Sequence, residues 1–457
     1  MNEPSLERKN WISGAEHGTG NAVTQVPRPE SLALLTDLYE LTMAAGYFAA
    51  GKHQEVGTFE LTVRRLPRNR DFVVVAGLHR AIDYLLNLKF EPAEIAYLRG
   101  LPNFRNAPAG FWDYLADFRF TGTMFAVPEG TVVYEGQPIL NIRAPLCEGQ
   151  IPETYLLSAL TFETLVASKA ARVAHAAQGR DVVEFGTRRA HTPEAGVLGA
   201  RAAYIGGCVG TSNTLAGFRY GIPVMGTAAH SWVMSFETET EAFRTLQQLL
   251  GDRTVQLLDT YDCLEGARTA ANLGKPLWGV RLDSGDFVSL SREVRAILDA
   301  AGLESAKIMA SGDLDEYKIA ELVAAGAPID AFGVGTELAV SGDAPSMGAI
   351  YKLVEIESDG KTRFTAKHSP EKQTLAGAKQ LFRFTEFDLL ALQDECAIGS
   401  EALLKPYIVN GRLVTSLPSA EEIRQRAQAN LSPWPQPGRR MELSHSLEEL
   451  NESIFRY

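Results

Sequence analysis

The sequence has few cysteines for its length of 457 residues, and no two of them form a CxxC pair. The four cysteines lie far apart, at Cys147, Cys208, Cys263 and Cys396. Such spacings match neither a disulfide framework nor a zinc-binding motif. They predict reduced thiols, which are typical of a cytoplasmic protein.

Long apolar runs are also missing. No stretch approaches the roughly eighteen uncharged residues that a membrane-spanning helix needs. The opening segment, residues 1–30, is polar and has no apolar region of the kind found in signal peptides. We therefore expect a flexible extension at residues 1–30, a cytoplasmic location and no membrane partner.

Positive charge is scarce relative to negative charge. The 44 Lys and Arg residues against 56 Asp and Glu residues give a net charge of -12. This balance disfavours a protein that binds nucleic acid by neutralising its phosphates. Small anionic ligands are not excluded, because a few local basic residues can bind them.

Several catalytic signatures are absent as well. There is no HExxH motif for zinc and no GxxxxGK[ST] loop for a P-loop ATPase. No lysine follows a predicted strand of the second domain described below, which disfavours an aldolase with a Schiff-base lysine.

The length and the hydrophobic content of 45% predict two domains. Residues 31–150 begin with a helical pattern at 34–51 and continue with mixed strands and helices. Between 120 and 145, short apolar strands are broken by Gly and Pro, which favours antiparallel hairpins. We assign residues 31–150 to an N-terminal α+β domain.

Strand and helix patterns alternate after residue 151, which predicts an α/β domain over 151–355. The strands are predicted at 181–187, 223–229, 255–261, 277–285, 307–313 and 331–337. Such βα units form either a closed barrel or an open doubly wound sheet. Every predicted strand ends in polar or glycine-rich residues, which favours a TIM-like barrel with its site at one face.

Two late strand ends carry glycines in a pattern that suits a phosphate. These ends are Ser311-Gly312-Asp313 and the run from Gly333 through Gly335 to Thr336. Glycine allows the backbone to approach a phosphate closely, and it equally serves a tight turn. Two such ends in succession favour the phosphate site.

Aspartate pairs follow three of the strands. Carboxylates beside a phosphate can bind a metal ion, accept sugar hydroxyls or face a cationic transition state. Helix N-capping explains any single one of them equally well. The pairs are Asp259 with Asp262, Asp283 with Asp286, and Asp313 with Asp315.

Basic residues also occur at strand ends. Arg188 and Arg189 follow the first strand, and Arg281 lies in the fourth, where a guanidinium can bind a carboxylate or phosphate. A surface salt bridge is the alternative for the arginine pair. His230 follows Gly226-Thr227, and a lone histidine of this kind is more often structural than catalytic.

A set of motifs goes beyond these patterns. The strings LLTDLYELTMA, FGTRRAH, ARAAYIGGCVGTSNTLAG, GTAAHSWVMSF, VRLDSGD, FGVGT and EKQTLAGAKQLFR occur in this order between Leu34 and Phe384. Together they closely resemble the nicotinate phosphoribosyltransferase family. The resemblance implies a type II phosphoribosyltransferase fold, in which an irregular α/β barrel packs with an α+β sandwich domain. Residues 356–457 would pack with the N-terminal domain, and homodimers would share active sites.

The resemblance also implies roles for individual residues. His230 matches the histidine that the family phosphorylates with ATP, and Asp283 is expected to be catalytic. The nicotinate site would include Tyr39, Thr227, Arg281, Arg188 and Arg189, with Tyr39 supplied by the partner subunit. The phosphoribosyl pyrophosphate site would include Asp286, Ser311, Gly312, Asp313, Gly333, Gly335 and Thr336. Asp283 and Asp313 are candidate ligands for Mg²⁺ (or Mn²⁺).

The implied reaction joins nicotinate to phosphoribosyl pyrophosphate with ATP as co-substrate, which begins NAD salvage from nicotinate. The nearest alternative is nicotinamide phosphoribosyltransferase, a family that carries an aspartate where this chain has Ser212-Asn213. A carboxylate there would repel an acid substrate, so its absence favours nicotinate. Quinolinate phosphoribosyltransferase and a non-catalytic sensor are less favoured, because the histidine motif and the aspartates are present.

Overall fold

The computed structural model describes residues 32–369 and 373–455. The extension predicted at residues 1–30 lies outside the described residues. Within the described part, no helix is long and apolar enough to cross a membrane. The chain has a mixed α/β fold whose two largest sheets are one antiparallel and one parallel.

The first segment of the chain alternates helices with short strands. Its elements are α1 (Leu38–Ala49), β1 (Val56–Arg65), β2 (Val73–Val74), α2 (Leu78–Asn87), α3 (Pro92–Gly100), a 3-10 helix (Pro102–Phe104), α4 (Ala109–Ala116), β3 (Thr123–Ala126), β4 (Val132–Val133), β5 (Pro138–Pro145), α5 (Leu146–Gln150) and α6 (Glu153–Ala176).

The second segment is a succession of βα units. Its elements are β6 (Asp181–Glu184), a 3-10 helix (Thr187–Arg189), α7 (Pro193–Gly206), β7 (Gly210–Thr211), α8 (Thr214–Tyr220), α9 (His230–Met234), α10 (Glu239–Leu250), a 3-10 helix (Gly251–Arg253), β8 (Val255–Leu257), α11 (Cys263–Leu273), β9 (Gly279–Leu282), α12 (Phe287–Ala300), β10 (Lys307–Ser311), α13 (Glu316–Ala324), β11 (Ala331–Val334) and α14 (Thr336–Ala339).

The last segment consists mainly of strands. Its elements are β12 (Gly348–Ser358), β13 (Lys361–Phe364), β14 (Lys379–Arg383), β15 (Phe387–Leu392), β16 (Glu401–Ala402), β17 (Lys405–Val409), β18 (Arg412–Leu413), α15 (Ala420–Asn430), β19 (Arg440–Leu443) and α16 (His445–Phe455).

The antiparallel sheet joins distant parts of the chain. Its order is β13-β12-β1-β5-β3-β17-β18, so strands of the last segment flank those of the first. β12 pairs with β1 from Val56 opposite Glu357 to Arg65 opposite Gly348. β3 and β5 pair antiparallel, as the hairpin pattern predicts. The boundary predicted at 355 falls inside β12, so this strand belongs with the antiparallel sheet along its whole length.

The parallel sheet has the order β7-β6-β11-β10-β9-β8. Five of the six predicted strands are confirmed as β6, β8, β9, β10 and β11. The strand predicted at 223–229 is wrong, because there only Val224 forms an isolated parallel bridge, to Thr211. Pro223 lacks an N–H group, and proline is unfavourable in a continuous ladder. The short β7 is not predicted, because its sequence is dominated by glycines.

Helix boundaries follow the capping residues. α1 begins at Leu38, later than predicted, because Asp37 and Glu40 form a capping box. Helices α10 to α13 alternate with strands, as the pattern after residue 151 predicts, and each is followed within two residues by a glycine with positive φ. These glycines are Gly251, Gly274, Gly302 and Gly326.

Two large apolar cores lie on either side of α6. One is built by the first and last segments and includes Leu61, Ile142 and Leu381. The other fills the space between the parallel sheet and its helices and includes Val280 and Phe332. Helix α6 packs against α2, α7 and α13, and its first half contributes to one core and its second half to the other. Side chains of α6 can therefore connect the antiparallel part of the molecule with the strand ends of the parallel sheet.

Candidate active site

Neighbouring parallel strands bring polar side chains together around Arg281, which lies in β9. Its guanidinium donates hydrogen bonds to Ser311 Oγ (2.6 Å), to Thr227 Oγ1 (2.6 Å) and to Asp283 Oδ1. The guanidinium carbon also lies 5.7 Å from the centre of the Phe185 ring. Four residues predicted for the site are thus in direct contact. They hold a positive charge at the strand ends, where a carboxylate or phosphate can bind.

Asp283 connects the end of β9 with the end of β10. Its Oδ1 accepts a second hydrogen bond, from Ser311 Oγ at 2.6 Å. Burial raises the pKa of the Asp283 carboxyl, but the Ser311 hydrogen bond and the Arg281 charge outweigh it, so the pKa is lowered overall. Asp283 is therefore an anion at neutral pH and can face a developing positive charge.

His230 is the first residue of α9 and lies beside Asp283. Its Nδ1 is 3.2 Å from Thr260 Oγ1, and its Nε2 is 3.6 Å from Asp283 Oδ2. The side chain is 41% exposed. The ring is therefore oriented by two strand ends and still open to a reactant. Sequence analysis does not single out Thr260, which lies inside the strand predicted at 255–261 and three residues after the end of β8.

Two of the predicted glycines allow the strand ends to pack closely. Gly312 has φ of +102°, and a Cβ there would lie 2.1 Å from the carbonyl oxygen of Asp283. A Cβ on Gly333 would lie 2.5 Å from the Phe185 ring. Both clashes involve atoms of the site, so a larger residue would displace Asp283 or Phe185.

Replacing Gly312 with alanine should destabilise the protein by about 2 kcal/mol, because the new Cβ meets both strain and a backbone clash. The control is Gly326→Ala, since Gly326 has φ of +65° but open space around the Cβ position. Urea-induced unfolding of the two variants measures the difference. Equal losses of stability would show that the contact with Asp283 has no energetic weight.

Asp259 at the end of β8 adds a second carboxylate. Its Oδ2 accepts hydrogen bonds from Ser284 Oγ (2.5 Å) and from the Asp283 N–H (3.2 Å). Its Oδ1 is buried and accepts no hydrogen bond from the described residues. An unsatisfied buried carboxylate oxygen requires a partner, and a cation or a ligand hydroxyl would supply it.

Three other aspartates cap helices. Asp286 is exposed, and its Oδ1 accepts the Val288 N–H at 3.1 Å at the start of α12. Asp262 and Asp315 cap α11 and α13 in the same way. The carboxylate of Asp286, which was expected at the phosphoribosyl pyrophosphate site, is therefore engaged as an N-cap.

The remaining residues expected to bind phosphate lie at the carboxyl ends of β10 and β11 and in the residues that follow these strands. Ser311 is opposite Gly333 in the paired strands, so these loops are neighbours. Asp313 is exposed with φ of +47°, and Thr336 is exposed directly after Gly335. The two loops together border the face on which Arg281 and His230 lie.

Three residues predicted for the nicotinate site lie outside this cluster of contacts. Tyr39 is on α1, which packs against α4 and α5, and its side chain is 44% exposed. Burial together with Glu153 and Glu40 raises the pKa of the Tyr39 hydroxyl. Arg188 and Arg189 are exposed on the short helix after β6, and neither forms an ion pair with a described residue.

The Ser212-Asn213 position has a structural role. Asn213 is buried; its Oδ1 accepts the Ala216 N–H at 2.9 Å, and its Nδ2 donates to Thr187 Oγ1 at 3.0 Å. Ser212 is exposed. Neither side chain brings a negative charge to this edge of the sheet.

One group of side chains in the described ranges has spacing that suits a metal ion: His79, Glu129 and Glu163. Arg201 already occupies this group. Its two terminal nitrogens lie 2.8 Å from the two oxygens of Glu129, and one lies 3.4 Å from Glu163. The guanidinium offsets part of the carboxylate charge, and Arg80 lies 3.4 Å from Glu163, so we assign the cluster a structural role.

The chain is an α/β protein with a polar cluster at the carboxyl ends of parallel strands, the place where proteins of this class bind their ligands. Two family profiles match the chain. They describe the nicotinate phosphoribosyltransferase N-terminal domain, at residues 34–161, and the nicotinate phosphoribosyltransferase family, at residues 181–380. Together they cover more than half of the sequence.

Individual relatives agree. A nicotinate phosphoribosyltransferase of Mycobacterium tuberculosis is 42% identical over 422 residues, which cover 90% of this chain and 89% of the relative. That of Bacillus subtilis is 44% identical over 384 residues, covering 80% and 78%. The crystal structure of human nicotinic acid phosphoribosyltransferase superposes with a TM-score of 0.80 and 29% identity, covering 92% and 99%. The chain belongs to the nicotinate phosphoribosyltransferase family and is an enzyme of that family.

Proposed function

We propose that the chain forms nicotinate mononucleotide from nicotinate and 5-phosphoribosyl 1-pyrophosphate, with ATP as co-substrate. The observation that supports this best is the contact of Arg281 with Thr227 and Asp283 at one edge of the parallel sheet. The pyridine nitrogen forms a bond to ribose C1 while the bond from C1 to pyrophosphate breaks. Arg281 binds the nicotinate carboxylate, and Asp283 faces the oxocarbenium charge that develops at C1.

In this proposal His230 accepts the γ-phosphoryl group of ATP. A bond from a ring nitrogen to phosphorus forms while the bond to the ADP oxygen breaks, and water later hydrolyses the phosphohistidine. The exposure of the ring and its contacts with Thr260 and Asp283 suit this role. The free energy of ATP hydrolysis then favours mononucleotide synthesis.

The carboxylates also fit a divalent cation, Mg²⁺ or Mn²⁺. Such ions are commonly held by one or two carboxylates together with substrate phosphates, so no preformed cage is needed. Asp313 is exposed beside the phosphate loops, and Asp259 offers an unsatisfied oxygen. Asp283, the other expected ligand, is already engaged by Arg281 and Ser311. The ion would neutralise the pyrophosphate leaving group.

The two edges of the parallel sheet support an irregular barrel for the α/β domain at residues 151–355. Val224 bridges to one edge strand, β7, and Val255 lies in the other edge strand, β8. Both line a single apolar cavity of about 440 Å³ together with Met309 and Ala331. A flat open sheet would keep its two edges apart, so a shared cavity favours a curved sheet that nearly closes.

The positions of Tyr39, Arg188 and Arg189 support a homodimer with shared active sites. All three are exposed, and Tyr39 is on a helix that packs away from the strand ends of its own chain. In the proposal, Tyr39 reaches the nicotinate of the partner subunit. We place the enzyme in the cytoplasm, where its free cysteines stay reduced.

Replacing Arg281 with lysine should raise the apparent KM for nicotinate about tenfold, because an ammonium cannot bind a carboxylate in the two-pronged way of a guanidinium. The KM for phosphoribosyl pyrophosphate should change less. Steady-state kinetics with each substrate varied in turn measures both values. An unchanged KM for nicotinate would remove Arg281 from the nicotinate site.

The experiment that tests the proposed function is mononucleotide synthesis with nicotinate, nicotinamide or quinolinate, each with and without ATP. Phosphoribosyl pyrophosphate and Mg²⁺ are present throughout. We expect product from nicotinate, stimulated by ATP. A preference for nicotinamide would instead support the alternative family and would show that Ser212-Asn213 does not determine specificity. No product with any of the three bases would refute the proposal.

A further inference from the structure

A buried lysine connects the two loops that follow β10 and β11. Lys169 lies on α6, and its side chain is 1% exposed. Its Nζ is 2.6 Å from Glu316 Oε2, 3.0 Å from Asp343 Oδ1 and 3.7 Å from Glu337 Oε2. Glu316 is the first residue of α13, directly after the loop that follows β10. Glu337 lies in α14 and Asp343 just beyond it, in the segment that follows β11. A single ammonium therefore links both loops to α6.

The charges around Lys169 are balanced. Arg70 donates to Asp343 Oδ1 at 3.0 Å, and Arg172 donates to Glu316 Oε1 at 3.0 Å. Three cations thus face three carboxylates, of which Glu316 and Asp343 are largely buried and Glu337 is 37% exposed. Burial lowers the pKa of Lys169, but Glu316 and Asp343 outweigh it, so the pKa is raised overall and the ammonium stays charged.

No backbone hydrogen bond between described residues joins the two loops directly. β10 and β11 pair only as far as Ser311 opposite Gly333, and the loops begin directly after this pair. Ser341 in the second loop has φ of +47°, a left-handed backbone conformation that is found in turns and not in regular helices or strands. The contacts of Lys169 with Glu316 and Asp343 therefore add a link between the two loops beyond this strand pair.

We infer that Lys169 is a positioning residue that sets the distance between these two loops and thereby preorganises the phosphoribosyl pyrophosphate site. The inference rests on the proposed function, in which Gly312, Asp313 and Thr336 bind that substrate. Lys169 does not touch the substrate. Its effect comes through Glu316 and Asp343, which hold the loop backbones in place.

The test is Lys169→Met, which keeps the length of the side chain and removes the charge. We expect the apparent KM for phosphoribosyl pyrophosphate to rise about tenfold, because small displacements of binding groups have large kinetic effects. If Lys169 acts only on the phosphoribosyl pyrophosphate site, kcat and the KM for nicotinate should each change less than threefold. A merely structural role would lower the fraction of active enzyme, and hence the apparent kcat, and leave both KM values unchanged.

Lys379→Met is the matched control. Lys379 is also a buried lysine, 2% exposed, and its Nζ lies 3.3 Å from Glu60 Oε1 in the antiparallel part of the molecule. It should lose stability like Lys169→Met and keep the wild-type KM for phosphoribosyl pyrophosphate. Hydrogen exchange in residues 312–318 and 335–344 should accelerate only in Lys169→Met.

The outcomes separate this inference from the proposed function. If the wild type makes no mononucleotide, the proposed function fails, and the inference fails with it. If the wild type is active and Lys169→Met has an unchanged KM for phosphoribosyl pyrophosphate, only the inference is overturned. Should Lys169→Met fail to fold, Asp343→Asn decides in the same assay, because it breaks the link at the loop and leaves α6 intact.

Discussion

Replacing His230 with alanine should abolish the stimulation of mononucleotide synthesis by ATP, while synthesis at high phosphoribosyl pyrophosphate persists. In the proposed mechanism the ring accepts the γ-phosphoryl group, and alanine has no nucleophile at this position. The ring is 41% exposed, and its contacts are made through Thr260 and Asp283, so its removal should leave the fold intact. Product formation with and without ATP measures the effect.

Labelled ATP gives an independent readout for His230. The wild type should incorporate the γ-phosphoryl label in an acid-labile form, and His230→Ala should not. His445→Ala is the control, because that histidine is 83% exposed on α16 and pairs only with Glu449. Wild-type stimulation by ATP in His230→Ala would show that the phosphoryl group is carried elsewhere or that ATP acts without a covalent intermediate.

The sequence predicts the parallel sheet better than the antiparallel one. Each βα unit consists of residues that are close in sequence. Apolar runs, and the glycines that end helices, therefore identify five of the six strands of the parallel sheet. Pairing between β1 and β12 joins residues almost three hundred positions apart, and no local pattern specifies such a partner. β7 has two residues and lies among glycines, so only its neighbours in space make it a strand.

Local sequence patterns also fail to specify the partners of individual side chains in the candidate site. Asp259, Asp283 and Asp286 all follow strands and all precede helices, so sequence alone cannot separate a helix cap from a group of the site. The structure separates them through their partners: Asp286 accepts a backbone N–H of α12, whereas Asp283 accepts hydrogen bonds from Arg281 and Ser311. Thr260 and Ser284 are identified as residues of the candidate site only through their contacts with His230 and Asp259.

The largest effect on stability should come from Arg201, far from the reaction. Its guanidinium binds both oxygens of the buried Glu129 and also contacts Glu163, and all three side chains are almost fully buried. Removing one partner of a buried ion pair leaves the other charge uncompensated. Arg201→Met should therefore lower the free energy of unfolding by about 3–5 kcal/mol. Urea-induced unfolding followed by circular dichroism measures this change.

A surface pair and a double variant are the controls. Arg268→Met removes an exposed ion pair with Glu265 and should cost less than about 1 kcal/mol. The double variant Arg201→Met with Glu129→Gln should be more stable than Arg201→Met alone, because the uncompensated anion is gone. A stability of Arg201→Met within about 1 kcal/mol of the wild type would show that the buried ion pair contributes little to the net stability of the fold.

The pH dependence of the free energy of unfolding shows whether the charge of Glu129 causes the loss of stability in Arg201→Met. In the wild type, burial raises the pKa of Glu129, but Arg201 lowers it well below its usual range, so the pair stabilises the fold at neutral pH. This contribution is lost as the pH falls below the unfolded pKa of about 4.3.

In Arg201→Met, burial is no longer opposed by that charge, so the pKa of Glu129 rises and acid relieves the instability. The stability difference between the two proteins should thus shrink as the pH is lowered from about 8 to about 5. A difference that stays constant over this range would mean that the lost stability comes from packing alone.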